Sequence, residues 1–589
     1  MEDNMYRWQS AKIALFTILL CACLACSCAG PVLWSTYTAL MPGQSVVQKV
    51  SPGEVYRYSI SAKNNDLILL DFEQTETIIY VKLVSPRGKT VNRFVVPAYE
   101  KNDLWTGREE LRIDADTNGT YQLSVQRFPG LEDSLKISGN FRLQVQQWLS
   151  AGEQQNEIAG DDSLIIAVGQ NAHAIASVDA GGPYSDLEPL KDILKDVRIV
   201  GLGEATHGTS EFFTMKHRML EFLVKEMRFR LLGIELPYGD CEIINRYVLS
   251  HKGSREKAIE RLAWYSTEEV IAMLDWMHDY NKNIPDSSKV RFYGFDMQKP
   301  IESLNAVESF LQKIDTAKGQ LVHVQRPALY NDDGNLRDTL AKNRAKIFYA
   351  DLQEYFLQNK LQFIAATSEE KYFSACQNLE VLIQNADLMF RKNFSQSLDR
   401  PEESYNEIRD RYMAENVRRI VEHNGPDAQM VLWAHDSHIM QQRVWTNSNS
   451  MGMYLQKMFG REYYSFVFIF HHGSFHANLE LDSTGYTFGS PKRGSLEWIF
   501  GKAGRGSSFL DFRKLVSDPE KAPVFLKERG FRIVGASYSP YWQEPYLGVT
   551  PKNFDGIVFI EKTTPSRSPA GFWKRMDPEQ EQKRRRNEK

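Results

Sequence analysis

The sequence predicts an α/β protein: a mainly parallel β-sheet flanked by helices, with a large helical insertion, preceded by a small all-β sandwich. Two observations carry this prediction. Between about residues 46 and 147 apolar residues alternate with period two, which is typical of short antiparallel strands. Beyond residue 163 short apolar runs alternate with long helical stretches, which is typical of a parallel sheet.

Length and composition fit a folded protein with more than one domain. The chain has 589 residues, of which 42% are hydrophobic and 25% charged. A net charge of −4 gives no reason to expect a nucleic-acid partner. The basic run Lys583–Arg586 ends a tail, residues 567–589, that we expect to be disordered and solvated.

The N-terminus, residues 1–30, predicts a leader or a membrane anchor. Arg7 and Lys12 precede an uncharged run that extends from Ile13 to Leu33. Cysteines followed by small residues resemble a bacterial lipoprotein signal, with an uncleaved anchor helix as the alternative; these are Cys21, Cys23, Cys26 and Cys28. Either interpretation attaches the protein to the bacterial cell envelope, outside the cytoplasm.

Only Cys241 and Cys376 remain for the folded part of the chain. They could pair, but two cysteines do not indicate a disulfide framework.

The predicted sandwich covers residues 40–150. Its strands include residues 56–60, then 121–125 after the turn at Asn118-Gly119, and 141–145. The stretch is similar to the jelly-roll modules appended to secreted bacterial hydrolases. It contains no clustered catalytic residues, so we expect an accessory or binding module. A polar linker, Ser150 to Ser163, ends it.

The second predicted domain covers residues 160–566. Its buried strands are expected in six apolar runs: Val197–Leu202, Leu231–Ile234, Val290–Phe295, Met430–Trp433, Phe466–Phe470 and Ile557–Ile560. The region from about Glu302 to Asn424 holds helices and few strand candidates. We interpret it as an insertion that covers the edge or mouth of the sheet.

Carboxylates and imidazoles follow five of these runs directly. They are Glu204 and His207, Glu235, Asp296, His435 and His438, and His471 and His472. Ligands of parallel sheets bind beyond the carboxyl ends of the strands, where adjacent loops converge. The sequence therefore predicts one polar rim built from residues that lie far apart in the chain.

Glu204 and His207 lie in a tight turn from a strand to a helix. A carboxylate beside an imidazole holds one tautomer and raises its basicity, which suits a general base acting on water. The alternative is a helix-capping turn that happens to contain a histidine. Residue types alone do not decide between the two.

Several motifs resemble the erythromycin esterase family over roughly residues 190–566. Residues 203–213 read GEATHGTSEFF, and they are followed in order by KHR at 216–218, GIE at 233–235, YGFD at 293–296, RYMAEN at 411–416, AHDSH at 434–438 and FDGIV at 554–558. The resemblance implies a hydrolase in which His207 activates water to open a cyclic ester. It also implies that Glu204 orients that base, while Glu235 and His435 complete the catalytic cluster.

The resemblance further implies a substrate side formed by His438, Lys216, Arg218 and Asp296. The family's resistance enzymes carry an arginine where this chain has Lys216, which keeps the charge but loses the bidentate fork. Arg218 points in nearly the opposite direction on a helix and cannot replace it. We therefore expect a small-molecule ester or lactone as substrate, without assuming a macrolide.

Three other functions were weighed against this one. A covalent serine mechanism is disfavoured because the chain has no Gly-x-Ser-x-Gly elbow. His435 and His438 could hold a metal ion, but activation of water by His207 without a cofactor is preferred. A non-catalytic envelope or carbohydrate-related binding protein is the third, and the complete polar set favours an enzyme. The sequence does not fix the oligomeric state.

Overall fold

The computed structural model describes residues 37–569 except 52, 97–98, 102–103, 129–138, 251–252, 332–333, 392–403, 445–447, 478–484 and 539–543. The chain divides into two compact units, Met1–Asp162 with Ser539–Pro545, and Ser163–Tyr538 with Tyr546–Lys589. The predicted leader and most of the predicted basic tail lie outside the described residues, so export and membrane attachment stay predictions. Among the described helices, none combines the length and apolar character needed to cross a bilayer.

The first unit contains two five-stranded sheets. Their strands are β1 Thr38–Ala39, β2 Ser45–Val50, β3 Val55–Ala62, β4 Leu67–Thr75, β5 Ile79–Val84, β6 Thr90–Val95, β7 Tyr99–Lys101, β8 Leu104–Asp114, β9 Gly119–Arg127 and β10 Gly139–Leu149. The strand orders are β1-β3-β9-β5-β6 and β2-β10-β4-β8-β7. All neighbours pair antiparallel except β1 and β3, which pair parallel.

Both sheets contribute to one hydrophobic core. Phe72 of β4 and Leu143 of β10 lie in the same buried cluster as Val81 of β5 and Leu123 of β9. Buried and solvated residues alternate along these strands because successive side chains of a strand point to opposite faces. The predicted strands of this region are confirmed, and the assignment to a jelly roll stays a prediction.

The predicted polar linker at 150–163 is wrong, because the structure has a helix from Ala151 to Asn171. Ser150 precedes this helix, and its hydroxyl oxygen accepts a hydrogen bond from the backbone N–H of Glu153 at 3.4 Å. The Glu153 carboxylate in turn accepts from the backbone N–H of Ser150 at 2.8 Å. This reciprocal pair is a capping box, and its Ser-x-x-Glu signature was visible in the sequence.

The second unit is built on a nine-stranded sheet. Its strands are β11 His173–Ala174, β12 Ile199–Leu202, β13 Leu231–Pro237, β14 Arg291–Asp296, β15 Met430–Trp433, β18 Tyr463–Phe475, β19 Tyr486–Phe488, β20 Ser508–Asp511 and β23 Gly556–Thr563. The order is β11-β20-β23-β18-β12-β15-β13-β14, with β19 paired to β18. Two small hairpin sheets join β16 Arg443–Val444 to β17 Ser448–Asn449 and β21 Arg529–Arg532 to β22 Tyr546–Val549.

Every apolar run predicted as a strand forms one. The six central strands from β23 to β14 run parallel, whereas β11, β19 and β20 pair antiparallel. The chain therefore has a mixed α/β fold with a mainly parallel sheet. The predicted run at Phe466–Phe470 is the central part of a longer strand.

Helices cover this sheet. In chain order the α-helices of the second unit after residue 171 are Leu190–Ile193, Ser210–Met227, Tyr238–Ser250, Arg255–Glu260, Glu268–Asn281, Ile301–Ile314, Thr316–Leu329, Thr339–Gln358, Lys360–Ala366, Glu369–Arg391, Tyr405–His423, Asp436–Ile439, Met451–Phe459, Leu496–Ala503, Phe512–Ser517 and Ala522–Phe525. Short 3₁₀ turns occur at Ala263–Tyr265, Asp286–Ser288 and Gly460–Glu462.

The predicted helical insertion is present between β14 and β15. Its helices share a core of their own, which includes Leu304, Tyr349 and Leu379. The last of these helices, Tyr405–His423, reaches the edge strand β14, where the side-chain amide of Asn416 donates to the backbone oxygen of Phe295 at 3.0 Å. The insertion thereby places the helix Tyr405–His423 against β14, the last strand of the sheet, which ends at Asp296 of the predicted rim.

Cys241 and Cys376 are free thiols, so the disulfide considered between them is wrong. Cys241 is buried, and burial raises the pKa of its thiol well above the ordinary value. A thiol of this kind packs as a small apolar side chain and is a poor nucleophile.

Candidate active site

Six of the eight residues predicted to converge follow four neighbouring strands, β12, β15, β13 and β14. The other two, His471 and His472, lie within β18, where their Nδ1 atoms are 3.0 Å apart. The four neighbouring strands run parallel, so their carboxyl ends face the same edge of the sheet. Glu204 follows β12, His435 follows β15, Glu235 lies near the end of β13, and Asp296 ends β14. All four residues are buried.

The turn after β12 depends on a glycine. A Cβ atom at Gly203 would lie 1.9 Å from Oδ1 of Asp436, a contact that no side chain could accept. The backbone N–H of Asp436 donates to the backbone oxygen of Glu204 at 3.0 Å, which ties the loop after β15 to the loop after β12. The close approach of the two loops therefore requires glycine at position 203.

Four donors surround the carboxylate of Glu204. Oε1 lies 2.6 Å from Nδ1 of His207 and 3.1 Å from the hydroxyl of Tyr265. Oε2 lies 2.6 Å from Nζ of Lys216 and 2.9 Å from Nε1 of Trp433. Burial alone would raise the pKa of Glu204, but Lys216 and His207 outweigh it, so the pKa is lowered and the carboxylate is ionised.

Lys216 is buried against Glu204. Its ammonium group is fully buried and lies 4.5 Å from the ring centroid of Trp433, in addition to its ion pair with Glu204. Burial lowers the pKa of Lys216, and the Glu204 carboxylate opposes that shift. The geometry assigns Lys216 to Glu204, in place of the predicted substrate contact.

His207 presents one ring nitrogen to the rim. Its Nδ1 is occupied by Glu204, and the side chain is 15% exposed. Among the residues that the structure describes, none forms a hydrogen bond with Nε2 of His207. The ring lies 5.0 Å from that of His435, centroid to centroid.

Both ring nitrogens of His435 are occupied. Nδ1 accepts from the backbone N–H of Ser437 at 3.2 Å, which leaves the ring proton on Nε2, where it is donated to the backbone oxygen of Val534 at 3.0 Å. Burial, together with the neighbouring imidazoles of His207 and His438, lowers the pKa of His435 to about 3. His435 is therefore a neutral imidazole that joins two loops, with no nitrogen free for proton transfer.

Glu235 and Asp296 share the guanidinium of Arg409. Nη2 of Arg409 lies 2.7 Å from Oε1 of Glu235 and 2.7 Å from Oδ2 of Asp296. Burial would raise the pKa of Glu235, yet His438 and Arg409 hold it well below the ordinary value. Oε2 of Glu235 also accepts from the backbone N–H of His435 at 3.1 Å. Asp296 is buried in this cluster, so its placement does not support the predicted contact with substrate.

His438 forms the second imidazole–carboxylate pair of the rim. Its Nδ1 lies 2.7 Å from Oδ1 of Asp410, and its Nε2 lies 3.3 Å from Oε1 of Glu235. Burial lowers the pKa of His438, but Asp410 and Glu235 outweigh it and raise the pKa to about 10. Nη1 of Arg409 also lies 3.0 Å from Nε2 of His438, and Arg409 opposes this rise in pKa; the side chain of His438 is 13% exposed.

Arg218 lies outside this cluster. Its guanidinium forms a bidentate pair with Asp186 at 2.6 and 2.9 Å and donates to the backbone oxygens of Ser177 and Pro183. Two positions separate Arg218 from Lys216, so the two side chains leave the helix on different faces. The geometry gives Arg218 a structural role and does not support the predicted substrate contact.

Four residues of the cluster were missed or only weakly indicated by the sequence. Arg409 and Asp410 lie on the helix Tyr405–His423, where they extend the buried face of Met413 and Ile420. Charged residues on an apolar helix face are the signal that could have found them. Tyr265, in the connection between β13 and β14, and Trp433, predicted only as part of a strand, both contact Glu204.

The described part of the chain contains no group of three or more His, Cys, Asp or Glu side chains arranged to hold a metal ion. His435 cannot offer a lone pair without losing its contacts to Ser437 or Val534. The two-histidine metal site considered from the spacing of His435 and His438 is therefore not preformed.

Comparison with known proteins gives the same framework. YbfO of Bacillus subtilis (strain 168) is 24% identical over 405 residues, which cover 65% of this chain and 87% of that protein. Erythromycin esterase type II of Escherichia coli is 24% identical over 416 residues, covering 65% and 94%. The crystal structure of a Bacillus cereus protein, 24% identical, covers 69% of this chain and 99% of that chain with a TM-score of 0.61.

A family model described as erythromycin esterase matches residues 224–563. The match includes Glu235, Arg409 and His435, and it begins after Glu204 and His207, which lie in the strand-to-helix turn described above. With more than half of its length in that match, the chain belongs to the erythromycin esterase family, a family of ester-bond hydrolases.

Proposed function

We propose that this chain hydrolyses a carboxylic ester or lactone by attack of a water molecule that His207 deprotonates. One observation carries the proposal. The Nδ1 atom of His207 is held by an ionised, buried carboxylate, while its Nε2 atom has no partner among the described residues and the ring is partly exposed. An imidazole with this environment is suited to act as a general base.

The reaction balances with His207 as the only proton carrier. Nε2 of His207 takes a proton from water, and the resulting hydroxide attacks the carbonyl carbon of the ester. When the tetrahedral intermediate collapses, the bond between the carbonyl carbon and the ester oxygen breaks. The imidazolium returns its proton to the leaving alkoxide, so the products are a carboxylic acid and an alcohol.

The other residues of the cluster either hold the site in place or contact the substrate. Glu204 stabilises the imidazolium form of His207 while the proton is on the ring. Glu235 holds the backbone of His435 and the side chain of Arg409, so it keeps neighbouring loops in register. His438 is partly exposed on the rim, and we propose that it contacts the substrate.

The test identifies the reaction product and measures how much His207 contributes to the rate. The purified protein is incubated with macrolides and with generic esters; a ring-opened lactone heavier by one water, or the separate acid and alcohol of an acyclic ester, identifies the reaction in the mass spectrum. His207→Asn should lower kcat about 10²–10⁴-fold, the usual contribution of a general base. Its thermal unfolding should stay close to wild type because the contacts of His207 with Glu204 and Tyr265 involve only Nδ1 and the side chain is partly exposed. Turnover by His207→Asn equal to that of the native chain would refute the base assignment.

Two further experiments distinguish this proposal from a metal-dependent hydrolase and from a non-catalytic binding protein. A metal-dependent hydrolase of the same site would lose activity in chelator and regain it with zinc, whereas hydrolysis by His207 is indifferent to chelator. A non-catalytic envelope or carbohydrate-related binding protein would give neither a ring-opened lactone nor the acid and alcohol of an acyclic ester. Hydrolysis of generic esters without macrolides would fit Lys216 at the position where the resistance enzymes carry arginine.

A further inference from the structure

We propose that Tyr265 is a positioning residue of the base: its hydroxyl fixes the Glu204–His207 pair so that Nε2 of His207 faces the reacting water. This inference rests on the proposed function and adds a residue to it. Tyr265 comes from the connection between β13 and β14, distant from the strand-to-helix turn that carries Glu204 and His207.

The hydroxyl of Tyr265 reaches both members of the pair. It lies 3.1 Å from Oε1 of Glu204 and 3.4 Å from Nδ1 of His207. The ring is fully buried and stands edge-on to His207 and to Trp433, at centroid distances of 6.0 and 6.2 Å. Burial, with Glu204 close by, raises the pKa of Tyr265 well above its ordinary value, so the hydroxyl remains a donor throughout the working pH range.

Tyr265 completes the set of donors on Glu204. A carboxylate has about four lone-pair sites. His207 and Tyr265 occupy Oε1, while Lys216 and Trp433 occupy Oε2. Glu204 therefore has no free site to take the proton that His207 removes from water, and that proton stays on the imidazole until the leaving group receives it.

The backbone before Tyr265 is held in an unfavourable conformation. Ala263 has φ of +51°, in the left-handed region that non-glycine residues rarely adopt. Ala263 begins a 3₁₀ turn that ends at Tyr265, whose backbone N–H donates to the oxygen of Leu262 at 2.9 Å. Such strain persists where surrounding contacts over-determine it, and it is concentrated at functional sites.

The test is Tyr265→Phe, which removes only the hydroxyl. With one donor fewer, Glu204 attracts the imidazolium of His207 more strongly, so the acidic limb of the profile of kcat/KM against pH should move to higher pH. The loss of one hydrogen bond should lower kcat about five- to tenfold. KM should not change, because the buried ring does not reach the substrate.

Tyr349→Phe is the matched control. Tyr349 is also fully buried, and its hydroxyl makes a hydrogen bond of 2.8 Å to that of Tyr330 in the helical insertion. This variant should keep the native kcat and the native pH profile. A merely structural role of Tyr265 would lower kcat in Tyr265→Phe at every pH without moving the acidic limb, and that outcome overturns the inference.

If Tyr265→Phe fails to fold, a second measurement, made on the native chain, tests the inference. In the native chain, nitrogen NMR of His207 should show Nδ1 protonated and Nε2 unprotonated at neutral pH, and the reverse tautomer would overturn the inference. Native behaviour of Tyr265→Phe together with an inactive His207→Asn removes only the role of Tyr265. Full activity of His207→Asn removes the proposed function and this inference with it.

Discussion

At the scale of single residues, the site is organised by a buried ion pair. The Glu204 carboxylate and the Lys216 ammonium are both inaccessible to solvent and lie 2.6 Å apart. Burying two charges is costly, and their attraction offsets that cost only while both are present. The pair therefore contributes little net stability but makes each partner indispensable to the other.

Glu204→Gln should be strongly destabilising, because it leaves Lys216 as a buried charge without a counter-ion. We expect a loss of about 3–5 kcal/mol in the free energy of unfolding. The double variant Glu204→Gln/Lys216→Met should recover part of that loss while remaining inactive. Denaturant unfolding measures both, and Lys191→Met, which breaks an exposed pair, should cost less than about 1 kcal/mol. Equal losses in the single and double variants would contradict the account.

At the scale of elements, the helix Ser210–Met227 serves two surfaces. One face carries Lys216 to Glu204, and another holds the segment 177–186 through Arg218 and Glu221. The Glu221 carboxylate accepts from the backbone N–H of Gly181 at 2.8 Å and from the hydroxyl of Tyr184 at 2.5 Å. The helix thus holds the segment 177–186 on one face while it presents Lys216 to Glu204 on another.

Glu221→Gln should lower stability in a pH-dependent way. Burial opposes ionisation, but His217, Tyr184 and Gly181 lower the pKa of Glu221 from 4.5 to about 2. A depressed carboxyl pKa stabilises the fold above the unfolded pKa, and this stabilisation is lost as the pH falls from about 4.5 through about 2.

The expected cost of Glu221→Gln at neutral pH is about 1.5–3 kcal/mol, the usual contribution of hydrogen bonds to a charged group. Melting temperatures of the variant and the native chain, measured from pH 7 downward, should converge toward the pH at which Glu221 is protonated. Glu188→Gln, at an exposed ion pair, is the control and should have little effect. A gap that stays constant into the acid range would show that the charge of Glu221 is not responsible.

At the scale of the whole molecule, the two units have separate cores. The ten-stranded unit has one buried cluster, and the nine-stranded sheet with its helices has three others. A unit with a core of its own can unfold as a unit. We therefore expect two transitions in calorimetry of the native chain.

Phe72→Ala should lower only one of these transitions. Phe72 is fully buried in the ten-stranded unit, and removing its ring should cost about 3–5 kcal/mol there. Ester hydrolysis below the first transition should be unchanged, because every residue of the site belongs to the other unit. A single transition, or equal shifts of both, would show that the units unfold together.

Much of the fold could be predicted because its signals are local. The six apolar runs became strands since a continuous apolar stretch of four to six residues is long enough for a buried strand. The polar residues and glycines at 150–163 predict a linker, but the Ser150–Glu153 capping signature indicates the start of a helix, and the helix is what the structure contains. The turn of Glu204 and His207 could be predicted because the two residues are only three positions apart and one motif contains both.

The sequence by itself determined the period of each region, the order of strands and helices, and the residue types delivered to the rim. Only the tertiary structure decided which of those residues touch. Arg409 and Glu235 lie 174 positions apart, and Tyr265 and Glu204 lie 61 apart, so no local pattern records either contact. Burial then decided the roles, because the same packing that surrounds the Glu204 carboxylate with donors keeps His435 neutral and fixes Lys216 beside Glu204.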